Sequence, residues 1–223
     1  MFTRSGGFAV LLPVKSPGTG KSRLTALTPV ERGRLAAAFA VDVVDACLAT
    51  PGVAGVLVIS DDDAFAATLA ARGAETCADP GGGLNAALRH GADVVRRARP
   101  ELRPVALCAD LPALRPDDLA AALEFVDSLA GAACFVRDAD GTGTSLYTAR
   151  HEDFDPRFGA GSAAAHTSAG AQPVPGELTT LRHDVDDADG LRAAVAIGLG
   201  AASQEVVAEM AIGPHSRGST ARS

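Results

Sequence analysis

The stretch "FAVLLPVKSPGTGKSRL", Phe8 to Leu24, decides the fold. Its first seven residues are a continuous apolar run, the pattern of a central strand in a parallel sheet. Its second half closes on Gly20-Lys21-Ser22, which raises the question of a P-loop. That pattern needs Gly, four residues, then Gly-Lys-Ser or Gly-Lys-Thr. Counting back from Gly20, the first glycine falls at position 15, which is Lys15. The residue that turns such a loop tightly round a phosphate is missing, so the kinase-type pattern fails. What remains is a strand followed by a loop that offers Lys15, Lys21 and Arg23 among small turn residues. A lysine point charge and an arginine fork suit triphosphate oxygens. The same residues also fit an ordinary solvated loop.

Beyond this stretch, apolar runs alternate with helical patterns. "PVERGRLAAAFAVDVVDACLAT" predicts a helix with Thr28 as its cap, Pro29 in its first turn, and Leu35, Phe39, Val43 and Ala46 on one face. "AGVLVIS" (54–60), "AETCA", "PVALCAD" (104–110) and "ACFVRD" predict further strands, with helices between them. This alternation, with short connections through residue 136, predicts an α/β fold: a mostly parallel central sheet flanked by helices on both faces. After residue 140 the rhythm changes. "GTGTSLYTAR" reads as a strand, "FGAGSAAAHTSAG" as a loop entering a short helix, and "LTTLRHDVDDADGLRAAVAIG" as a strand ending in acids and then a helix. Periodicity fades from about Ser203. The expected organisation is therefore one domain over residues 1–202 and a disordered tail over 203–223.

Composition narrows the function classes. The chain has 223 residues, 47% of them hydrophobic, enough for one domain with a sizeable core and too many for a disordered chain. A net charge of −7 argues against a basic face for nucleic acid. No apolar run reaches about 18 residues, so no membrane span is expected. The apolar N-terminal run is broken by Pro13 and lacks a cleavage site, so it reads as a buried strand and not as a signal peptide. Cys47, Cys77, Cys108 and Cys134 form no CxxC pair and read as buried reduced thiols of a cytoplasmic protein.

Four other stretches carry candidate chemistry. In "ALCADLPAL", Asp110 follows a hydrophobic strand, where open α/β sheets bind ligands. A carboxylate there suits Mg²⁺, and equally suits a turn or cap before the next helix. In "LRHDVDDADGL", Asp184, Asp186, Asp187 and Asp189 crowd one junction, and alternation puts Asp184 and Asp186 on the same side of an extended segment. Some of these acids serve capping, and the repulsion among four of them points to a cation. In "DPGGGLNAAL", Gly82 and Gly83 let backbone approach a base or ribose, and Asn85 offers a polar contact. In "GTGT" with "RFGAGS", Thr144 offers a hydroxyl, Gly159 an unobstructed amide, and Ser162 a place at a helix N-terminus, a group suited to a small phosphate or carboxylate.

Taken together, these stretches resemble the phosphoenolpyruvate or 2-phospho-L-lactate guanylyltransferase family of coenzyme F420 biosynthesis. The likeness runs in order through "LLPVKSPGTGKSRL", "DPGGGLNAAL", "ADLPAL", "GTGTSLY", "PRFGAGSAAAH" and "LRHDVDDADGL", over residues 8 to 200. It implies a glycosyltransferase-A-like (nucleotide-diphospho-sugar transferase) nucleotidyltransferase fold. It implies a Mg²⁺-dependent transfer of GMP from GTP to a small phosphorylated three-carbon acid, with release of pyrophosphate. The Ala-, Gly- and Arg-rich composition suits GC-rich bacteria, and in actinobacterial relatives the acceptor is phosphoenolpyruvate. The resemblance assigns the metal to Asp110 and Asp184, with Asp186 as the fallback for the second, and the acceptor to Thr144, Gly159 and Ser162. It implies a downstream F420 transferase that consumes the product. Its loop departs from the family in having more glycines, which leaves open the pairing of Lys15, Lys21 and Arg23 with individual phosphates. An acceptor phosphate is already anionic and needs no general base, so His90, His151, His166, His183 and His215 are expected to play no catalytic part. The alternatives are a molybdenum-cofactor-type or sugar-phosphate nucleotidyltransferase, which needs no "GTGT…RFGAGS", and a non-catalytic GTP-binding subunit.

Overall fold

Strand β1 (Phe8–Val14) is the axis of the sheet, and its side chains show why it is apolar throughout. Phe8, Val10, Leu12 and Val14 face one hydrophobic cluster, and Ala9 and Leu11 face another. A strand covered on both faces leaves no position for polar residues. The structure, a computed structural model, describes residues 7–19 and 24–212. Lys21 and Arg23 therefore lie outside the described residues.

Among the described residues the chain forms a seven-stranded sheet of order β3-β2-β1-β4-β6-β5-β7. Its members are β2 (Val53–Ser60), β3 (Glu75–Ala78), β4 (Arg103–Leu107), β5 (Cys134–Arg137), β6 (Thr144–Thr148) and β7 (Gln172–Pro173). The β1–β2, β1–β4, β2–β3 and β5–β7 pairs are parallel, and β6 runs antiparallel to both β4 and β5. The first strands alternate with helices α1 (Pro29–Ala49), α2 (Asp63–Ala70), α3 (Leu84–Ala98) and α4 (Pro116–Ser128). Helices α1, α2 and α4 pack Val43, Phe65, Leu69, Leu119 and Leu123 on one face of the sheet. Helix α3 packs Leu88 and Val95 on the other. The start of α1 is set locally: the Thr28 hydroxyl accepts from the Glu31 amide, and the Glu31 carboxylate accepts from the Thr28 amide at 2.8 Å.

The segment expected as a strand over "LTTLRHD" is instead the one-turn helix α6 (Thr179–Arg182) followed by unpaired extended chain. Its backbone is held by side chains. The Thr180 amide and hydroxyl both donate to the Asp118 carboxylate at 2.7 Å, and the Thr180 hydroxyl accepts from the Arg115 amide at 3.0 Å. The Arg182 guanidinium donates to the carbonyls of Arg137, Val174, Gly176 and Glu177. A segment anchored in this way needs no ladder. The remaining helices are α5 (Ser162–Ser168), α7 (Ala188–Ile197) and α8 (Ala201–Ile212).

Helix α8 carries the packed body past residue 202, where sequence places the domain boundary, so the expected tail over 203–223 is helical as far as Ile212. Val206, Val207 and Met210 pack on a cluster formed by Leu35 and Phe39 of α1 with Val185 and Leu199. The amino end of α8 is capped from a distance. Asp42, in the middle of α1 and 7% exposed, accepts from the Ala202 and Ser203 amides at 2.9 Å each. Gly200 makes room for this contact, since a Cβ there would collide with the Asp42 carboxyl. The cap satisfies two helix-end donors that would otherwise be buried unpaired. Asp42→Ala is expected to cost about 2 kcal/mol and to lower the thermal midpoint by roughly 4–8 °C. An unchanged midpoint in calorimetry would show that these amides find other acceptors.

Candidate active site

The site lies at the carboxyl ends of β1 and β4, and one backbone hydrogen bond assembles it. The Val185 amide donates to the Asp110 carbonyl at 2.9 Å. Val185 is fully buried beside Leu35 and Phe39, which fixes the side of the segment that faces the core. In extended chain the flanking residues then turn away from that core together. Asp184 is half-buried, Asp186 is exposed, and both stand beside Asp110. The Asp184 carboxyl is pushed up to about 7, first by burial, then by the neighbouring Asp110 and Asp186 charges, with a smaller push from Asp138. A carboxyl that resists ionisation because it is buried and because other carboxylates crowd it is placed to gain from a cation. Asp187 and Asp189 do other work. The Asp187 carboxylate accepts from the Asp189 and Gly190 amides to cap α7, and Asp189 pairs with Arg192.

Asp138, at the end of β5, was not found from sequence. Its Oδ2 accepts from the Gly143 amide at 2.8 Å, and its Oδ1 is buried with no hydrogen-bond partner among the described residues. It shares a cavity of about 370 Å³ with Asp184 and Asp186. The signal was present, since Asp138 ends the strand "ACFVRD" just as Asp110 follows "PVAL". Among the described residues no three His, Cys, Asp or Glu side chains are arranged to enclose a metal ion by themselves. Asp110, Asp184 and Asp186 offer carboxylate oxygen, the donor type that Mg²⁺ takes from one or two side chains while water and phosphate complete its shell.

Beside the acids is a second cavity of about 290 Å³. Asp110 and Asp186 line one side of it and Lys15 another, while Phe39, Leu88 and Phe158 supply apolar wall. Gly81, Gly82 and Gly83 have φ of 78°, 85° and 88°, a run of left-handed backbone that side chains with a Cβ resist. This run delivers Leu84, 43% exposed, to the cavity wall. Gly82 and Gly83 are not among the residues that line the cavity, and Leu84 is. Asn85 is used differently from the nucleotide contact expected of it. Its Nδ2 donates to the Phe158 carbonyl and its Oδ1 accepts from the Phe158 amide, each at 2.9 Å. It clamps α3 to the loop at 157–161.

The acceptor candidates lie on segments that are hydrogen-bonded to one another. Because β6 is antiparallel, its first residue, Thr144, lies beside the carboxyl end of β4, where the Thr144 carbonyl accepts from Cys108 Sγ at 3.5 Å. Thr144 and Ser162 are both buried, and Gly159 is exposed with φ 134°. The Ala163 amide donates to the Thr142 carbonyl and the Ser162 amide to the Gly159 carbonyl, each at 3.1 Å. These bonds pin the start of α5 against the start of β6. Arg157 is exposed and pairs with Asp155 at 2.9 Å. His166, set aside on sequence, is the centre of this group. It is fully buried, within hydrogen-bond distance of both Thr144 and the Arg157 amide, and burial pushes its imidazole down to about 4.

A family model described as "Guanylyl transferase CofC like" matches residues 8–174. The phosphoenolpyruvate guanylyltransferase of Streptomyces coelicolor is 47% identical over 210 residues, covering 92% of this chain and 98% of that one. That of Geodermatophilus obscurus is 44% identical over 200 residues, covering 86% and 90%. Among solved structures, a protein described as a nucleotide-diphospho-sugar transferase from Desulfovibrio desulfuricans superposes with a TM-score of 0.68 at 16% identity, over 94% of this chain and 97% of that one. A 4-diphosphocytidyl-2C-methyl-D-erythritol synthase superposes at 0.57 with 15% identity, over 87% and 99%. These two likenesses show the fold, the nucleotidyltransferase fold expected from sequence. The family match and the length of the shared sequence show the rest: the chain belongs to the CofC-like guanylyl transferases and is a nucleotidyltransferase.

Proposed function

We propose that this chain transfers GMP from GTP to phosphoenolpyruvate and releases pyrophosphate, as a step in coenzyme F420 biosynthesis. The observation that carries this reading is the Val185–Asp110 hydrogen bond, which keeps Asp184 and Asp186 beside Asp110, while Asp110 and Asp186 line the cleft that also holds Lys15. The names of the actinobacterial relatives support phosphoenolpyruvate over 2-phospho-L-lactate.

In this reading a phosphate oxygen of the acceptor attacks the α-phosphorus of GTP. A new P–O bond forms there, the bond to the bridging oxygen breaks, and pyrophosphate leaves with that electron pair. The attacking oxygen is already anionic, so no side chain has to remove a proton. The difficulty is bringing two anions together, and the protein meets it by positioning and charge. Lys15 neutralises the leaving phosphates, helped by Lys21 and Arg23 of the same loop. Thr144, Ser162 and the Gly159 backbone hold the acceptor. Leu84, which Gly82 and Gly83 deliver, borders the space for the nucleoside. Asp110 with Asp184 or Asp186 would hold Mg²⁺, which when bound supplies charge neutralisation between the two phosphates. The product then passes to a downstream F420 transferase in the cytoplasm. No helix among the described residues is long and apolar enough to cross a membrane.

The assay is pyrophosphate release with GTP, ATP, CTP or UTP against phosphoenolpyruvate, 2-phospholactate or 3-phosphoglycerate, coupled to the downstream transferase. Release is expected with GTP and phosphoenolpyruvate. Nucleotide binding without release for any pair would leave only a binding subunit. Asp110→Asn is expected to fold and to lose about a hundredfold or more in turnover. The Asp184 carboxyl titrates near 3.8 unfolded and near 7 folded, so folding favours its protonated form. In the metal-free protein this opposes stability increasingly as pH rises from about 4 to 7, and fully above 7. Asp184→Asn should therefore melt higher than the parent at pH 8, by about 1–2 kcal/mol once solvent screening of a half-buried group is allowed for. The gain should vanish near pH 4. Equal midpoints at pH 8 would remove the carboxylate crowding on which the cation site depends.

A further inference from the structure

The His166 ring is held on three sides. Tyr147 stacks on it at 4.6 Å and 17°, Phe135 lies 5.5 Å away, and Phe158 meets it edge-on at 5.7 Å. Both ring nitrogens are engaged: Nε2 lies 2.9 Å from the Arg157 amide and Nδ1 3.1 Å from Thr144 Oγ1. A backbone amide can only donate, so Nε2 carries a lone pair. The single proton of a neutral imidazole is then on Nδ1, where Thr144 Oγ1 and the Ser162 carbonyl are its acceptors, and Thr144 cannot donate to it. The Thr144 hydroxyl proton is left to point elsewhere.

We propose that His166 is a positioning residue that makes Thr144 a hydrogen-bond donor toward an anionic oxygen of the acceptor, by occupying the Thr144 oxygen with Nδ1–H while Nε2 holds the Arg157 amide. This rests on the placement of the acceptor at Thr144 proposed above. The polarity runs one way: Arg157 amide to imidazole, imidazole to threonine, threonine to ligand. A hydroxyl with a free choice of direction can accept from a neutral alcohol or donate to a carboxylate. One whose oxygen is already occupied is biased to donate, and so selects carboxylate or phosphate oxygen. Burial, which keeps the imidazole neutral at ordinary pH, preserves this arrangement. The same ring fixes the loop that presents Gly159. His166 takes the Arg157 amide, Asn85 takes the Phe158 amide, and Gly159 follows.

The test is a double-mutant cycle on phosphoenolpyruvate and GTP steady-state kinetics. His166→Phe keeps a ring for the stacking contacts and removes both nitrogens. It is expected to raise the phosphoenolpyruvate KM about tenfold or more, the usual loss for a hydrogen bond to a charged group, and to leave the GTP KM within about twofold. His166→Asn, whose amide N–H reaches the Nδ1 position, is expected to recover most of the loss. In a Thr144→Val background His166→Phe is expected to raise the phosphoenolpyruvate KM severalfold less than in the parent, leaving only the part carried by the loop that presents Gly159. An undiminished effect in that background would reduce His166 to packing and overturn the proposal. A Thr144→Val variant with an unchanged phosphoenolpyruvate KM would overturn the acceptor placement itself, and the proposal with it. Long-range proton–nitrogen NMR on the unaltered protein gives a check that needs no variant: the Nδ1–H tautomer is expected, and an Nε2–H tautomer overturns the assignment.

Discussion

The site depends on a single long-range backbone bond, from the Val185 amide to the Asp110 carbonyl. Neither residue's chemistry demands it. It forms because Val185 is driven into the cluster of Leu35 and Phe39, and a buried amide must find an acceptor. The alternation of extended chain then turns Asp184 and Asp186 toward the cleft. Hydrophobic burial of one valine thus holds carboxylates that repel each other. Burial first, and that repulsion second, raise the Asp184 carboxyl. Functional sites commonly retain such local opposition, which the rest of the fold sustains.

The sheet divides the labour. Its parallel half, β3-β2-β1-β4, brings strand ends and helix starts to one edge, as doubly wound sheets do. The antiparallel β6 then delivers the beginning of a strand to that same edge, so Thr144 meets the end of β4. Asp110 and Lys15 come from the parallel half, and Thr144 and Asp138 from the other. Asn85 joins them, reaching from α3 to Phe158.

What was legible in the sequence was what is decided locally. The apolar run of β1, the capping box at Thr28 and Glu31, and the acid after β4 are each written in a few adjacent residues. The failed P-loop pattern was equally local and excluded the wrong fold. The structure departs from the sequence expectation where distant partners decide. "LTTLRHD" has strand-like composition, yet the Asp118 carboxylate takes the Thr180 amide, and the Arg182 guanidinium ties the turn to the carbonyls of Arg137 and Val174. Asn85 looked available because Phe158 lies 73 residues away. His166 looked idle because its partners, Thr144 and Arg157, gain meaning only when β6 and α5 meet. Asp138 alone was missed for want of applying a rule already in use.

Helix α8 was illegible for the same reason, as its cap is supplied by Asp42 from 160 residues earlier. That remoteness ties the two ends of the chain together. Helix α1, which lends the cap, also carries Phe39, and Phe39 forms wall of the cleft and packs in the cluster that seats Met210. A contact that restrained Phe39 from the cleft side would restrain α8 as well, and slower amide hydrogen exchange in α8 would be its remote readout.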